Sequence, residues 1–108
     1  MSISVTEIGS HRVISCAGPL DISTLPRLSD ALERHVGAGS SVVVDLDGIT
    51  VIDSTTVGVL LGAAVRQRET SSRFTVVCSN REIVARLEQL GLVPAVPLAT
   101  SVHDIASD

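Results

Sequence analysis

The chain contains no lysine, tryptophan or tyrosine, and a single phenylalanine, Phe74, among its 108 residues. Without lysine it can form neither a Schiff base nor the lysine contact of a P-loop. All eight basic residues are arginine, set against twelve acidic ones for a net charge of −4. That balance offers no basic footprint for a phosphate backbone, and nucleic acid is disfavoured as a partner. With so few aromatics the core must be built from Val, Leu, Ile and Ala on regular elements, which favours layered α/β packing over an aromatic stacking platform. Long apolar runs are also missing. The longest, residues 57–65, is far short of the roughly 20 residues that span a bilayer, and no membrane partner is expected. "MSISVTEIGSHRV" lacks a basic region followed by an apolar run, so no signal peptide is expected and the location is read as cytoplasmic. At this length one domain, 1–108, is expected. The two cysteines, Cys16 in "VISCAG" and Cys78 in "TVVCSN", have no CxxC spacing and no neighbouring His; both read as reduced core thiols.

"SISVTEIG" and "HRVISCAG" are alternating runs separated by Gly9 and Ser10, the pattern of an N-terminal β-β unit. "GPLD" ends the second run. Ser23 then reads as an N-cap, with Pro26 in the first turn and Leu25, Leu28, Leu32 and Val36 at helical spacing until Gly37. "SVVVDL" at 41–46 is a β-branched run fit for a strand buried on both faces. A loop, then a second helix over 54–69, should follow. "RFTVVC" is a further strand, and Asn80 caps a helix that buries Ile83, Leu87 and Leu90 and ends at Gly91. A Pro-flanked extended segment and a short helix near 101–106 complete the chain. The order implies a mostly parallel four- to five-stranded sheet with about four helices packed on it.

The stretch "VVVDLDGITVIDSTTVGVLLGA", residues 42–63, poses the functional question. Its front half resembles the nucleophile loop of haloacid-dehalogenase-type phosphatases, with Asp45 as the attacking carboxylate. Such an enzyme also needs a later cation and an acidic pair for magnesium. No Lys exists, no adjacent carboxylates follow "FTVVC", and Ile49 stands where that family usually has Thr. Asp45 and Asp47 therefore read as a solvated strand end and turn. His11, His35 and His103 are scattered without a GxSxG elbow, so no hydrolytic triad or metal site emerges and all three read as surface histidines.

The back half is a helix start rich in hydroxyls. At about 100° per residue, Val57, Leu60, Leu61, Ala64 and Val65 share a stripe facing the sheet, and Ser54 turns inward. The opposite side carries Thr55, Val59, Gly62 and Arg66, with Thr56 and Ala63 alongside. A solvated helix face usually carries Lys, Glu or Gln; this one is small and partly apolar, as suits a flat docking surface for another protein. Gly58 reads equally well as a site of close packing within the domain. Asp53 is placed to cap the helix. A phosphate on Thr55 would sit at the positive end of the helix, tolerated by the fold and disruptive to whatever docks there.

With "GPLD", the 42–63 stretch and "EIVARLEQLGL" in this order and separation, nearly the whole chain resembles the STAS-domain anti-sigma factor antagonists, also called anti-anti-sigma factors. The resemblance implies a STAS-like α/β fold and a binding protein in sigma-factor control, with no enzymatic activity or cofactor of its own. Its partner would be an anti-sigma factor of the ATP-dependent serine/threonine kinase type. That kinase would phosphorylate Thr55 and so release the complex, and a phosphatase would restore it. Asp21 would lie beside the phosphoacceptor, with Asp53, Ser54 and Thr56 flanking it. Thr55 stands where the family more often has Ser, and Thr56 where its pattern has Gly. These departures leave open phosphorylation on Thr56, or a scaffold STAS domain that assembles with its homologues unphosphorylated.

Overall fold

The computed structural model describes residues 1–106. Five strands form one sheet in the spatial order β1-β2-β3-β4-β5: β1 (Ser2–Ile8), β2 (His11–Leu20), β3 (Ser41–Ile52), β4 (Phe74–Val77) and β5 (Leu98–Ala99). β1 pairs antiparallel with β2, and every later pairing is parallel. The Ile8–His11 turn is closed by Gly9 at φ +60°, a left-handed conformation that costs glycine nothing.

The helices are α1 (Leu25–His35), α2 (Ser54–Glu69), α3 (Arg81–Gln89) and α4 (Val102–Ala106). α1, α2 and α3 cover one face. Leu28 and Leu32, Val57 and Leu60, and Ile83 and Leu87 meet the inward residues Ile14, Cys16, Val42, Val44 and Val76. On the other face Ile105 of α4 closes a small cluster with Val13, Val43 and Val77. Val42, Val43 and Val44 are consequently all fully buried, as a β-branched run in a two-sided sheet should be. No helix among the described residues is long and apolar enough to cross a membrane.

β3 is twice as long as the expected strand and replaces the expected loop, because two bulges hide its period. Pairing with β2 slips between Ser15 and Ala17 and again between Gly18 and Pro19. At each slip β3 carries one residue more than β2, so its inward set is Val42, Val44, Leu46, then Ile49, then Ile52. A spacing of two that breaks to three does not read as a strand. "GPL" likewise continues β2 instead of ending it.

The first bulge has a local requirement. A Cβ at Gly48 would lie 2.9 Å from the Cys16 carbonyl oxygen and 3.0 Å from the Ala17 Cβ. Gly48→Ala is therefore expected to destabilise the fold by about 1–3 kcal/mol, the range for overpacking, measured as a fall in denaturation midpoint at constant m. Retention of the wild-type midpoint would mean that the strands part there at no cost.

The α1 boundary also moves. Thr24, not Ser23, is the N-cap residue, and it caps without a side-chain bond of its own. Its hydroxyl instead donates to the Pro19 and Asp21 carbonyls. His11 is not a surface histidine: it is 8% exposed, with Nδ1 at 2.8 Å from Ser41 Oγ. His35 is half-buried against Arg12, and His103 is exposed. Both cysteines are free and buried, and burial pushes the Cys16 thiol up to about 12.

Candidate functional site at the start of α2

β2 and β3 end side by side, and their ends build the site. The Asp53 N–H donates to the Leu20 carbonyl at 3.2 Å, which ties the residue before α2 to the last residue of β2. Asp53 is the N-cap of α2. Its Oδ1 accepts from the Thr56 backbone N–H and from the Thr56 hydroxyl, both at 2.8 Å. The same hydroxyl lies 3.4 Å from the Leu20 carbonyl, so one short side chain links the cap, the helix and β2.

Asp21 holds the adjoining loop. Its Oδ1 accepts from the Ser23 N–H at 3.0 Å and from the Ser23 hydroxyl, and its own N–H donates to Thr24 Oγ1 at 3.1 Å. The Ser23 hydroxyl, more than any other contact, holds the Asp21 carboxyl below its ordinary value. The Thr56 N–H, then its hydroxyl, does the same for Asp53, while the Asp21 charge pushes weakly the other way. The two carboxylates are thus neighbours, both ionised at neutral pH, beside the positive end of a 16-residue helix.

Against this frame the hydroxyl residues separate. Ser54 and Thr55 are exposed, whereas Thr56 is completely buried. This corrects the expected helix orientation: Ser54 faces out, and Thr56 faces in. Ala63 is likewise completely buried and contributes nothing to an outer surface. The buried set is Thr56, Val57, Leu60, Ala63, Ala64 and Gln67, a stripe rotated by roughly 70° from the expected one. Leu61 is only half-buried and packs at the margin of the core, and Val65 is 52% exposed and does not anchor the helix to the sheet as expected. The outer face keeps Thr55 and Arg66 exposed, with Val59 and Gly62 half-buried. Gly58 faces open space, with nothing within 4 Å of a built Cβ, and Gly62 meets only the Arg66 guanidinium at 3.8 Å. Neither glycine serves close packing within the chain.

Ile22, between Asp21 and Ser23, was not singled out by its sequence context, yet it is 73% exposed, the most exposed of the large apolar side chains. It sits in "DIST", at the middle of the turn in which Asp21 accepts from the Ser23 N–H. Asp45 accepts from the Asp47 N–H at 3.0 Å, and Asp47 accepts from the N–H and hydroxyl of Ser79. Both carboxylates thus lie within β3 at its first bulge, not at the expected strand end and turn, and Asp47 ties that bulge to the segment after β4. No group of three or more His, Cys, Asp or Glu able to hold a metal ion occurs among the described residues.

Replacing Asp53 by Ala should cost about 1–2 kcal/mol, the range for a lost N-cap, and Asp53→Asn much less. The pH dependence separates charge from cap. A carboxylate held below its unfolded value contributes stability that is present above about pH 4 and lost as pH falls through the lower folded value. Urea melts between about pH 5 and pH 2 should therefore show a shallower acid loss in Asp53→Asn than in the wild type. An identical acid arm would remove Asp53 as a source of it.

Comparison with known proteins agrees with this architecture. A family model described as "STAS domain" matches residues 2–105. No curated protein sequence matches. Among solved structures, an anti-sigma factor antagonist from Mycobacterium paratuberculosis superposes with a TM-score of 0.88 at 21% identity, over 98% of this chain and 91% of that one. The anti-sigma factor antagonist SpoIIAA in its unphosphorylated form gives a TM-score of 0.74 at 15% identity, over 99% and 96% of the two chains. The phosphorylated form, from Bacillus, gives 0.73 at 17% identity, over 98% of each.

Proposed function

Because the chain belongs to the STAS-domain family, we propose that it is an anti-sigma factor antagonist whose binding is switched by phosphorylation of Thr55. The unphosphorylated chain binds an anti-sigma factor of the ATP-dependent serine/threonine kinase type and thereby frees a sigma factor. Phosphorylation by that kinase breaks the complex, and a phosphatase restores it. The chain is then substrate and ligand, not an enzyme.

The observation that carries this reading is the contrast between adjacent threonines. Thr55 is exposed at the first turn of α2, beside a carboxylate cap and at the edge of a small, partly apolar helix face. Thr56 is completely buried with its hydroxyl committed to Asp53, so a kinase would have to unwind the helix start to reach it. Structural neighbours described as unphosphorylated and phosphorylated forms of one antagonist lend support, since that fold carries the modification. Val59, Gly62 and Arg66 continue the docking surface from Thr55 along α2, and exposed Ile22 extends it beyond the helix start.

The test is incubation with ATP, magnesium and each anti-sigma kinase of the same genome, followed by intact-protein and peptide mass spectrometry. One phosphate on Thr55, absent from Thr55→Ala, is the expected result. Phosphate on Thr56, or on neither residue with any kinase, would overturn the switch.

A further inference from the structure

We propose that the end of the molecule opposite Thr55 carries a binding site for a small carboxylate with an apolar body. The site lies at the foot of β4, beyond the reach of β5, and goes beyond the partner-binding role of the α2 start. α2 spans about 24 Å, and the cavity is lined from its C-terminal half, so the two sites lie at opposite ends of one helix.

The cavity exists because β5 is too short. β5 pairs only with Val76 and Val77 of β4, through bonds from Val76 N to the Pro97 carbonyl and from Cys78 N to the Ala99 carbonyl. By strand alternation the Phe74 N–H points to the same edge. Opposite it, however, the chain turns at Ala95 instead of continuing the strand, and β5 supplies Phe74 with no carbonyl. The resulting cleft measures about 470 Å³, within the range of roughly 300–1,000 Å³ typical of ligand pockets.

Its chemistry is one-sided. Phe74, the only aromatic in the protein, lines it together with Val96 and Pro97, while Arg68 supplies a guanidinium group and no acidic residue is among the described residues that line it. A carboxylate accepts from guanidinium in a bidentate fork. The apolar wall would be wasted on an inorganic anion, and the Arg68 guanidinium on a hydrocarbon. The ligand class matching both is an aliphatic or aryl monocarboxylate.

Octanoate is a suitable probe, titrated into the full ¹⁵N-labelled chain and followed by amide chemical shifts, with 1-octanol as the uncharged control. Saturable shifts centred on Phe74 and residues 95–97, with octanoate binding at least tenfold tighter than octanol, are expected. Arg68→Gln should weaken octanoate by about tenfold or more and leave octanol unchanged. Ala95→Trp, at an exposed rim position, should abolish binding by filling the cleft while leaving the remaining amide spectrum in place. Absence of saturable shifts, shifts centred elsewhere, equal binding of octanol, or undiminished binding to Ala95→Trp would each overturn the proposal.

Discussion

Gln67→Leu is expected to cost about 2–4 kcal/mol of folding stability, more than any surface substitution in the molecule, although Leu has nearly the same volume. Gln67 lies in the last turns of α2 and is completely buried. Its Nε2 donates to the Ser40 carbonyl at 2.6 Å and to the Arg73 carbonyl at 2.9 Å, and its Oε1 accepts from the Gly37 N–H at 2.8 Å. One amide thus closes the loop between α1 and β3 and the entry to β4. The Arg73 carbonyl has a second donor in the Val42 N–H, so Leu would strand chiefly the Ser40 carbonyl and the Gly37 N–H. Each buried group left unpaired costs about 1–3 kcal/mol, more than a typical hydrogen bond contributes, and solvent near exposed Gly37 moderates the sum. For a domain of this size the melting temperature should fall by roughly 10–20 °C.

Gln67→Glu gives the complementary result. A carboxylate has no hydrogen to offer two carbonyl oxygens, and the charged form is disfavoured in that site, so its folded-state pKa is raised. Its destabilisation should accordingly shrink as pH falls through that raised value, since protonation restores one donor. Chemical denaturation of both variants at pH 5 and pH 8 reads the effect. A Gln67→Leu midpoint equivalent to within about 0.5 kcal/mol of wild type, the scatter of inert surface changes, would mean the three bonds are replaced by water at no cost.

Gln67 also explains what could be read from the chain before its fold was known. The strands with unbroken alternation, the caps at Asp53 and Asn80, and the element order were legible because each rests on local chemistry. The orientation of α2 was not. Ranking by side-chain size turns Leu61 and Val65 toward the sheet, but the helix rotates to bury Thr56 and Gln67, two polar residues whose partners lie on other elements. A buried Gln is tolerated only where every polar atom is paired, and those pairs are backbone groups brought close by the fold itself. The bulges of β3 were hidden for the same reason, since a register shift is a property of two strands. At the candidate site, the nearness of Asp21 to Asp53 and the exposure of Thr55 were legible from the ordered motifs, whereas the inward turn of Thr56 required knowing that Leu20 ends beside it.

That inward turn sets the expectation for Thr55. Thr55→Glu should lower affinity for the cognate anti-sigma factor by about 100-fold or more, equivalent to roughly 2.8 kcal/mol, while changing folding stability by no more than about 0.5 kcal/mol. The asymmetry follows from where the charge would lie. Within the free chain, an anion in the first turn of α2 meets the positive helix end, which favours it, and the nearby Asp21 and Asp53 carboxylates, which oppose it; the exposed position keeps both effects small. In the complex the same charge would be stripped of water beside those two carboxylates and against a surface fitted to a threonine. Thr55→Ala removes one methyl and one hydroxyl from an exposed position and should bind within about threefold of wild type, well under 1.4 kcal/mol, while losing all response to ATP and the kinase. Calorimetric titration of wild type, Thr55→Ala and Thr55→Glu, paired with thermal melts of each, separates the possibilities. Equal affinity of all three would sink the switch, and a melt depressed in Thr55→Glu alone would show that the residue acts on the fold instead of on the partner.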